Sequence, residues 1–310
     1  RDIKASKLRI KEWDYYLINN GRFALALTVD DNGYMGLDSI SLLDFQEGWE
    51  ITKSPMSFMP LGKLKMPETS ARGDVFHSGK NHSISFVNKG DGRRTLIAQM
   101  KNFGPGGSLY AKVELTEEPE ESMVICTPFS KPGHFYYNQK INCMRASGSV
   151  LYDGRSYDFD PAESFAVLDW GRGVWTYHNT WYWGSASYHV KGEPFGWNIG
   201  YGFGDTSAAT ENALIYNGRL HKLDHVTFEI PMKDRKEDYL SPWRFTSSDG
   251  RFEMQFRPVL DRAACTDFKL LKSDQHQVFG TFTGTAVLDD GSALSVRDFF
   301  GFAEKVENKW

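Results

Sequence analysis

Residues 168–190 read LDWGRGVWTYHNTWYWGSASYHV, and residues 192–218 continue GEPFGWNIGYGFGDTSAATENALIYNG. Four of the nine Trp lie between Trp170 and Trp183, and Trp197 follows. Large aromatics alternate with polar groups here, as they do in extended strands, whose side chains point to opposite faces in turn. A plain half-buried strand puts solvated residues on its second face. This one instead carries groups that exchange protons or donate hydrogen bonds, which is the make-up of a ligand-pocket wall.

Outward from this stretch the chain reads as β structure throughout. Asn20-Gly21, Asn32-Gly33, Gly90-Asp91-Gly92, Asp153-Gly154, Asp249-Gly250 and Asp290-Gly291 each separate two apolar runs. Such pairs favour tight hairpins because both residues tolerate positive φ. Residues 51–72 hold three Pro and read as a long connection or an edge. MKDRKEDYLSP (232–242) reads as a short helix or charged loop, and Glu117–Glu121 as a solvated acidic loop. Asp160-Pro161-Ala162-Glu163 interrupts the strand pattern after some eight to ten strands. It predicts two β modules of similar size, 1–162 and 163–310, each a barrel or sandwich.

Composition narrows the function classes. The formal net charge is −4 and no stretch concentrates Lys and Arg, so no nucleic-acid partner is expected. Cys126, Cys143 and Cys265 are far apart without a CxxC pair. They predict buried small hydrophobes rather than a disulfide frame or zinc site. No apolar run approaches the ~20 residues of a membrane span. No signal peptide is visible, so a cytoplasmic location is expected. A chain beginning at Arg1 instead of Met is also compatible with a removed leader. His77, His82, His134, His189, His221, His225 and His276 show no metal-site spacing, and FGPGGS and GYGFGD lack the Lys and helix of a phosphate loop. Neither a metal nor a nucleotide cofactor is expected.

Several constellations carry candidate chemistry. Asp169 and Arg172 flank Gly171 and could meet across a turn, as an ion pair or a grip on an anionic ligand group. In strand register Trp175, Tyr177, Asn179, Trp181 and Trp183 share one face, while His178 shares the other with Thr176, Thr180 and Tyr182. If the aromatic face is a barrel lumen, Tyr177 and Asn179 line the pocket and His178, an acid–base candidate, points away. Trp197 and Asn198 extend the ligand-binding set. Asp205, Glu211 and Asn212 lie on the loop GFGDTSAATEN, and a carboxylate walled in by Trp and Tyr would have its pKa raised for general-acid work. Glu211 is the strongest single candidate, with Asp205, Asp169 and His178 behind it. Glu304 in GFAEKV could reach a barrel interior or serve as a buried partner for an Arg.

The two long motifs, with the terminal GFAEKVENKW, resemble the bacterial family known as domain of unknown function 2804. More remotely they are similar to the carotenoid 1,2-hydratase and AttH-like group. That resemblance implies two lipocalin-like β-barrels, and a cofactor-independent hydratase, isomerase or cyclase acting on small apolar or unsaturated molecules. The hydratases carry a tighter His-Asn-Trp-Gly motif. Here His178-Asn179-Thr180-Trp181-Tyr182-Trp183-Gly184 is two residues longer. Two other readings remain open: a glycoside hydrolase using paired carboxylates among Asp169, Asp205, Glu211 and Glu304, and a non-catalytic small-molecule carrier.

Overall fold

The computed structural model describes residues 3–267 and 272–309; Trp310, which closes the terminal motif, lies outside them. Among the described residues there is no helix, and every paired strand is antiparallel to its neighbour. The hairpin signals fall where strands reverse. At Asp153-Gly154 and Asn217-Gly218 both central residues have positive φ (52° and 69°, 47° and 77°), the geometry that matches strand twist in two-residue turns. The expected helix or loop at 232–242 is instead a hairpin, Met232–Lys233 with Lys236–Glu237, because Asp234 and Arg235 both take positive φ.

The chain divides into two compact units, residues 1–118 with 135–175, and 119–134 with 176–310. The division thus falls near 175 rather than at 162. Strand Phe165–Val174 pairs with Ile10–Asn19 on one side and Phe135–Tyr152 on the other, so hydrogen bonding holds it in the first unit.

In the first unit the strands run in space as Trp49–Lys53, Met35–Asp44, Phe23–Asp31, Ile10–Asn19, Phe165–Val174, Phe135–Tyr152, Gly107–Thr116, Arg94–Gly104, His82–Asn88, Val75–Ser78. Laid flat, the ends of such a sheet would be roughly 40 Å apart, at about 4.8 Å per strand. Yet Ile40 and Leu42 near one end share a single core with Val75 and Ile84 near the other. The sheet therefore curls round its own interior.

The second unit does the same. Its strands run Arg219–Lys222, Ala213–Tyr216, Glu193–Tyr201, His178–Val190, Ala293–Lys309, Lys272–Val287, Phe252–Asp267, Trp243–Ser247, Val226–Glu229. Phe228, on the last of these, lies 5.5 Å from Tyr201 and 5.8 Å from Tyr182, ring to ring. The enclosed space is filled with rings. Phe282 touches Phe256 (4.4 Å), Trp197 (5.3 Å) and Phe245 (5.4 Å), and all four are fully buried. Trp197, expected to bind ligand, is thus a core residue and the lumen around it is packed.

The three cysteines are free, but only Cys143 is buried; Cys126 and Cys265 are exposed, against expectation. The acidic run is also more engaged than a solvated loop. Glu118 pairs with the buried Arg94, and Glu121 accepts the Leu220 amide at 2.8 Å.

Truncating a filled interior leaves a cavity. Phe282→Ala is expected to cost about 3–5 kcal/mol, against less than about 0.5 kcal/mol for exposed Met232→Ala. Denaturant midpoints at matched slopes measure both. A cost below about 1 kcal/mol for Phe282→Ala would mean that the interior is open.

Candidate functional site

Strand His178–Val190 is buried on both faces over its middle. Tyr182 and Ala186 face the aromatic core. Trp181, Trp183 and Ser185 alternate with them on the opposite face, where Trp183 and Ser185 are also buried. The sequence alternation is therefore correct, but its aromatic face is the one turned away from the lumen. Antiparallel partners share a face, so the same face carries Glu304 opposite Trp183, Gln277 opposite Glu304, and Asn198 opposite Ser185.

These side chains form two hydrogen-bonded sets side by side on this face of the second unit. The Trp183 indole donates to Asn198 Oδ1 (2.7 Å), and Asn198 Nδ2 donates to the Glu211 carbonyl (2.8 Å) and reaches Glu211 Oε2 at 3.4 Å. The Trp181 indole donates to Glu304 Oε1 and Gln277 Nε2 to Glu304 Oε2, both at 2.9 Å. Glu211 and Glu304 are only 7% and 8% exposed. Gly200, opposite Trp183 on the other side, makes room for Glu211: a Cβ there would stand 2.9 Å from its carboxyl carbon. The Glu211 carboxyl, over Gly200, and Glu304 so flank Trp183, and Gly200 and Glu304 are two strand spacings or roughly 9–10 Å apart at the backbone. Burial lowers the pKa of nearby Lys222, and the charge of Glu211 opposes that shift.

The other loop candidates take structural roles. Asn212 accepts the Gly200 amide (2.7 Å) and donates to the Asp224 carbonyl (2.8 Å), clamping the loop that delivers Glu211. Asp205 is exposed and accepts the Ser207 amide at 3.0 Å. That bond holds its carboxyl below the usual range, opposite to the raised pKa expected of a general acid. His178 is exposed, and Tyr177 is 49% exposed. Asn179 is tied to Thr176 through the Thr176 hydroxyl (2.8 Å) and carbonyl (2.7 Å).

The first unit holds a second buried array. Asp169 sits between Lys140 Nζ (2.7 Å), Asn138 Nδ2 (2.5 Å) and the Trp13 indole (3.1 Å). Trp175 packs edge-on to Trp13 at 5.2 Å, and Trp13 stacks on Tyr136. Asp169 and Arg172 do not meet. They lie three apart in one strand, where positions i and i+3 face opposite ways. Arg172 points inward to Asp14 (3.2 Å) and Glu12 (3.6 Å), with its guanidinium 4.4 Å from the Trp170 ring. Burial raises the Asp14 carboxyl pKa and Arg172 opposes it.

One further cluster escapes sequence reading. In the second unit Lys233, Glu237, Tyr239 and Asp261 line a groove of about 490 Å³. His276 stacks on Tyr239 at 3.8 Å and bonds Asp261 at 2.7 Å, which raises its pKa. Tyr239 donates to Glu237 (2.6 Å), which also holds Lys305 (2.7 Å). These residues are spread from 233 to 305 with no shared motif. The available signal was the face-sharing of His276 and Lys305 across one hairpin.

Two curled antiparallel sheets, each round its own core and joined in one chain, define an all-β protein of two lipocalin-like barrels. The chain matches the model of the domain of unknown function 2804 over residues 1–310 and belongs to that family. No curated protein matches it by sequence. Among solved structures it is similar to an AttH-type protein from Nitrosomonas europaea, with a TM-score of 0.55 at 15% identity over 96% of this chain and 92% of that one. Kievitone hydratase from Nectria haematococca gives 0.53 at 13% identity, and CghA 0.53 at 11%, each over 97% of this chain and 88% of the other. At such identities the likeness is one of fold.

Arg172→Ala leaves Glu12 and Asp14 buried without their cation, and a loss of about 3–5 kcal/mol is expected at neutral pH. The deficit shrinks as pH falls, because a protonated Asp14 needs no cation. Thermal unfolding across pH measures it, and a pH-independent loss would contradict the pairing.

Proposed function

We propose that this chain is a cofactor-independent acid–base enzyme of hydratase type, acting on a small, largely apolar or unsaturated molecule, with Glu211 as its acid. The observation that carries this reading is the buried array in which Glu211 and Glu304 flank the indole of Trp183 on one sheet face. The shared fold with a protein named kievitone hydratase supports it.

The chemistry would run in two steps. Protonated Glu211 transfers its proton to one carbon of a double bond, leaving a cation on the other. Indole faces at Trp181 and Trp183 stabilise the cation through their quadrupoles, with more effect where water is excluded. Water then bonds to the cation and gives a proton back to the carboxylate. Where no water reaches the cation, loss of a neighbouring proton yields an isomer instead.

A second placement of the same chemistry has its own support. The groove beside Tyr239 is accessible, and His276–Asp261 with Tyr239–Glu237–Lys305 offers an acid–base set there.

The test is native mass spectrometry of the purified protein for retained apolar ligand. It is followed by turnover of a terpenoid and polyketide panel in ¹⁸O-labelled water, for wild type, Glu211→Gln and His276→Ala. The proposal expects water to be incorporated, with a loss of about 10²–10⁴-fold in Glu211→Gln and little change in His276→Ala. The reverse pattern would move the site to the groove. Binding or cleavage of oligosaccharides instead would sink the hydratase reading in favour of a glycoside hydrolase.

A further inference from the structure

The first unit contains a cluster that sequence spacing concealed. His77 Nδ1 and His82 Nε2 both approach one oxygen of Asp38, Oδ2, at 2.5 and 2.7 Å. The three ligand-type atoms lie within 4.8 Å of one another. Asp38 and His82 side chains are 4% and 7% exposed, and His77 is 23% exposed. Asp38 Oδ1 is buried and has no hydrogen-bond partner among the described residues.

Register places all three side chains on the inner face of the curled sheet. Asp38 is opposite Val29, His77 opposite Ile84 and His82 opposite Met100, and those three partners belong to the core. Topology places them near opposite ends of the sheet. Asp38 is on Met35–Asp44, the second strand from one end, while the histidines are on the last two strands at the other end. The cluster therefore bridges the seam where the curled sheet closes on itself without strand pairing.

We propose that Asp38, His77 and His82 form a binding site for a divalent transition-metal ion of the Zn²⁺ class, which clips this seam. Two imidazoles and one carboxylate are a recognised donor set for such ions, and soft-ligand or all-oxygen metals fit it poorly. The crowding of two ring nitrogens on one oxygen, beside a second oxygen with no partner, leaves a buried acceptor unexplained by protein groups alone. An ion bound at about 2.0–2.2 Å from each ligand spreads them to about 3.3 Å in a tetrahedron. That shift is under about 1 Å, within reach of rotating the Asp38 carboxyl. The partial exposure of His77 leaves solvent to supply a fourth ligand. The ion stabilises the closed sheet, because an ion that binds only the folded chain adds its binding free energy to folding.

Chelator-treated full-length protein titrated with Zn²⁺ by calorimetry tests this, with thermal unfolding and Co²⁺ visible absorption alongside. One equivalent per chain is expected, with a rise in Tm and the strong d–d bands of low-coordinate Co²⁺. His77→Asn and His82→Gln should each weaken binding by more than about 100-fold, beyond the roughly 10–100-fold typical of losing a mere supporting partner. His276→Ala should leave binding unchanged. Where a variant fails to fold, the wild-type stoichiometry and Co²⁺ spectrum decide. Multi-equivalent binding, an aquo-type Co²⁺ spectrum, or affinity unchanged in both folded variants would overturn the site.

Discussion

The structure depends on one constraint: the middle of strand His178–Val190 is buried on both of its faces. Strand geometry sends successive side chains to opposite sides, so such a strand must satisfy two environments at once. One side meets the ring-packed core through Tyr182 and Ala186. The other holds Trp183 and Ser185 away from water, and there every polar atom needs a partner. The indole, amide and carboxyl groups of Trp183, Asn198 and Glu211 satisfy one another. A sheet with one solvated face would need none of this.

The same constraint recurs in the first unit. Strand Phe165–Val174 sends Trp170 and Arg172 inward and Asp169 outward, and both charges are matched by groups on neighbouring strands. Charges so placed cost desolvation that only close, well-oriented partners offset. In both units, buried polar groups on either face of a strand are held by partners on its neighbours.

Much of this was legible in the sequence, because strand alternation and turn chemistry are local. Asp153-Gly154 announced a turn whose two residues do take positive φ, and Trp181 and Trp183 were correctly set on one face. What stayed hidden was which face is the inside, since that depends on the curl of a whole sheet. Trp197 therefore read as pocket lining when it is core. Asp169 and Arg172 looked paired only if a turn separated them, and the strand register forbids it. Asp205 and Glu211 are carboxylates of one loop with different surroundings: one caps an exposed turn, while the other folds back over Gly200. The Asp38–His77–His82 cluster joins opposite ends of a sheet, a relation no spacing rule encodes. The family resemblance fixed the architecture and left the chemistry to these contacts.

The measurement that bears most directly on this account is ¹H–¹⁵N NMR of the indole groups, assigned by Trp substitution, as an apolar unsaturated ligand is added. The account predicts that Trp181 and Trp183 shift on binding while the core residues Trp197 and Trp243 stay in place. Shifts at Trp197 and Trp243, with Trp181 and Trp183 unmoved, would put the ligand inside the barrel and contradict it.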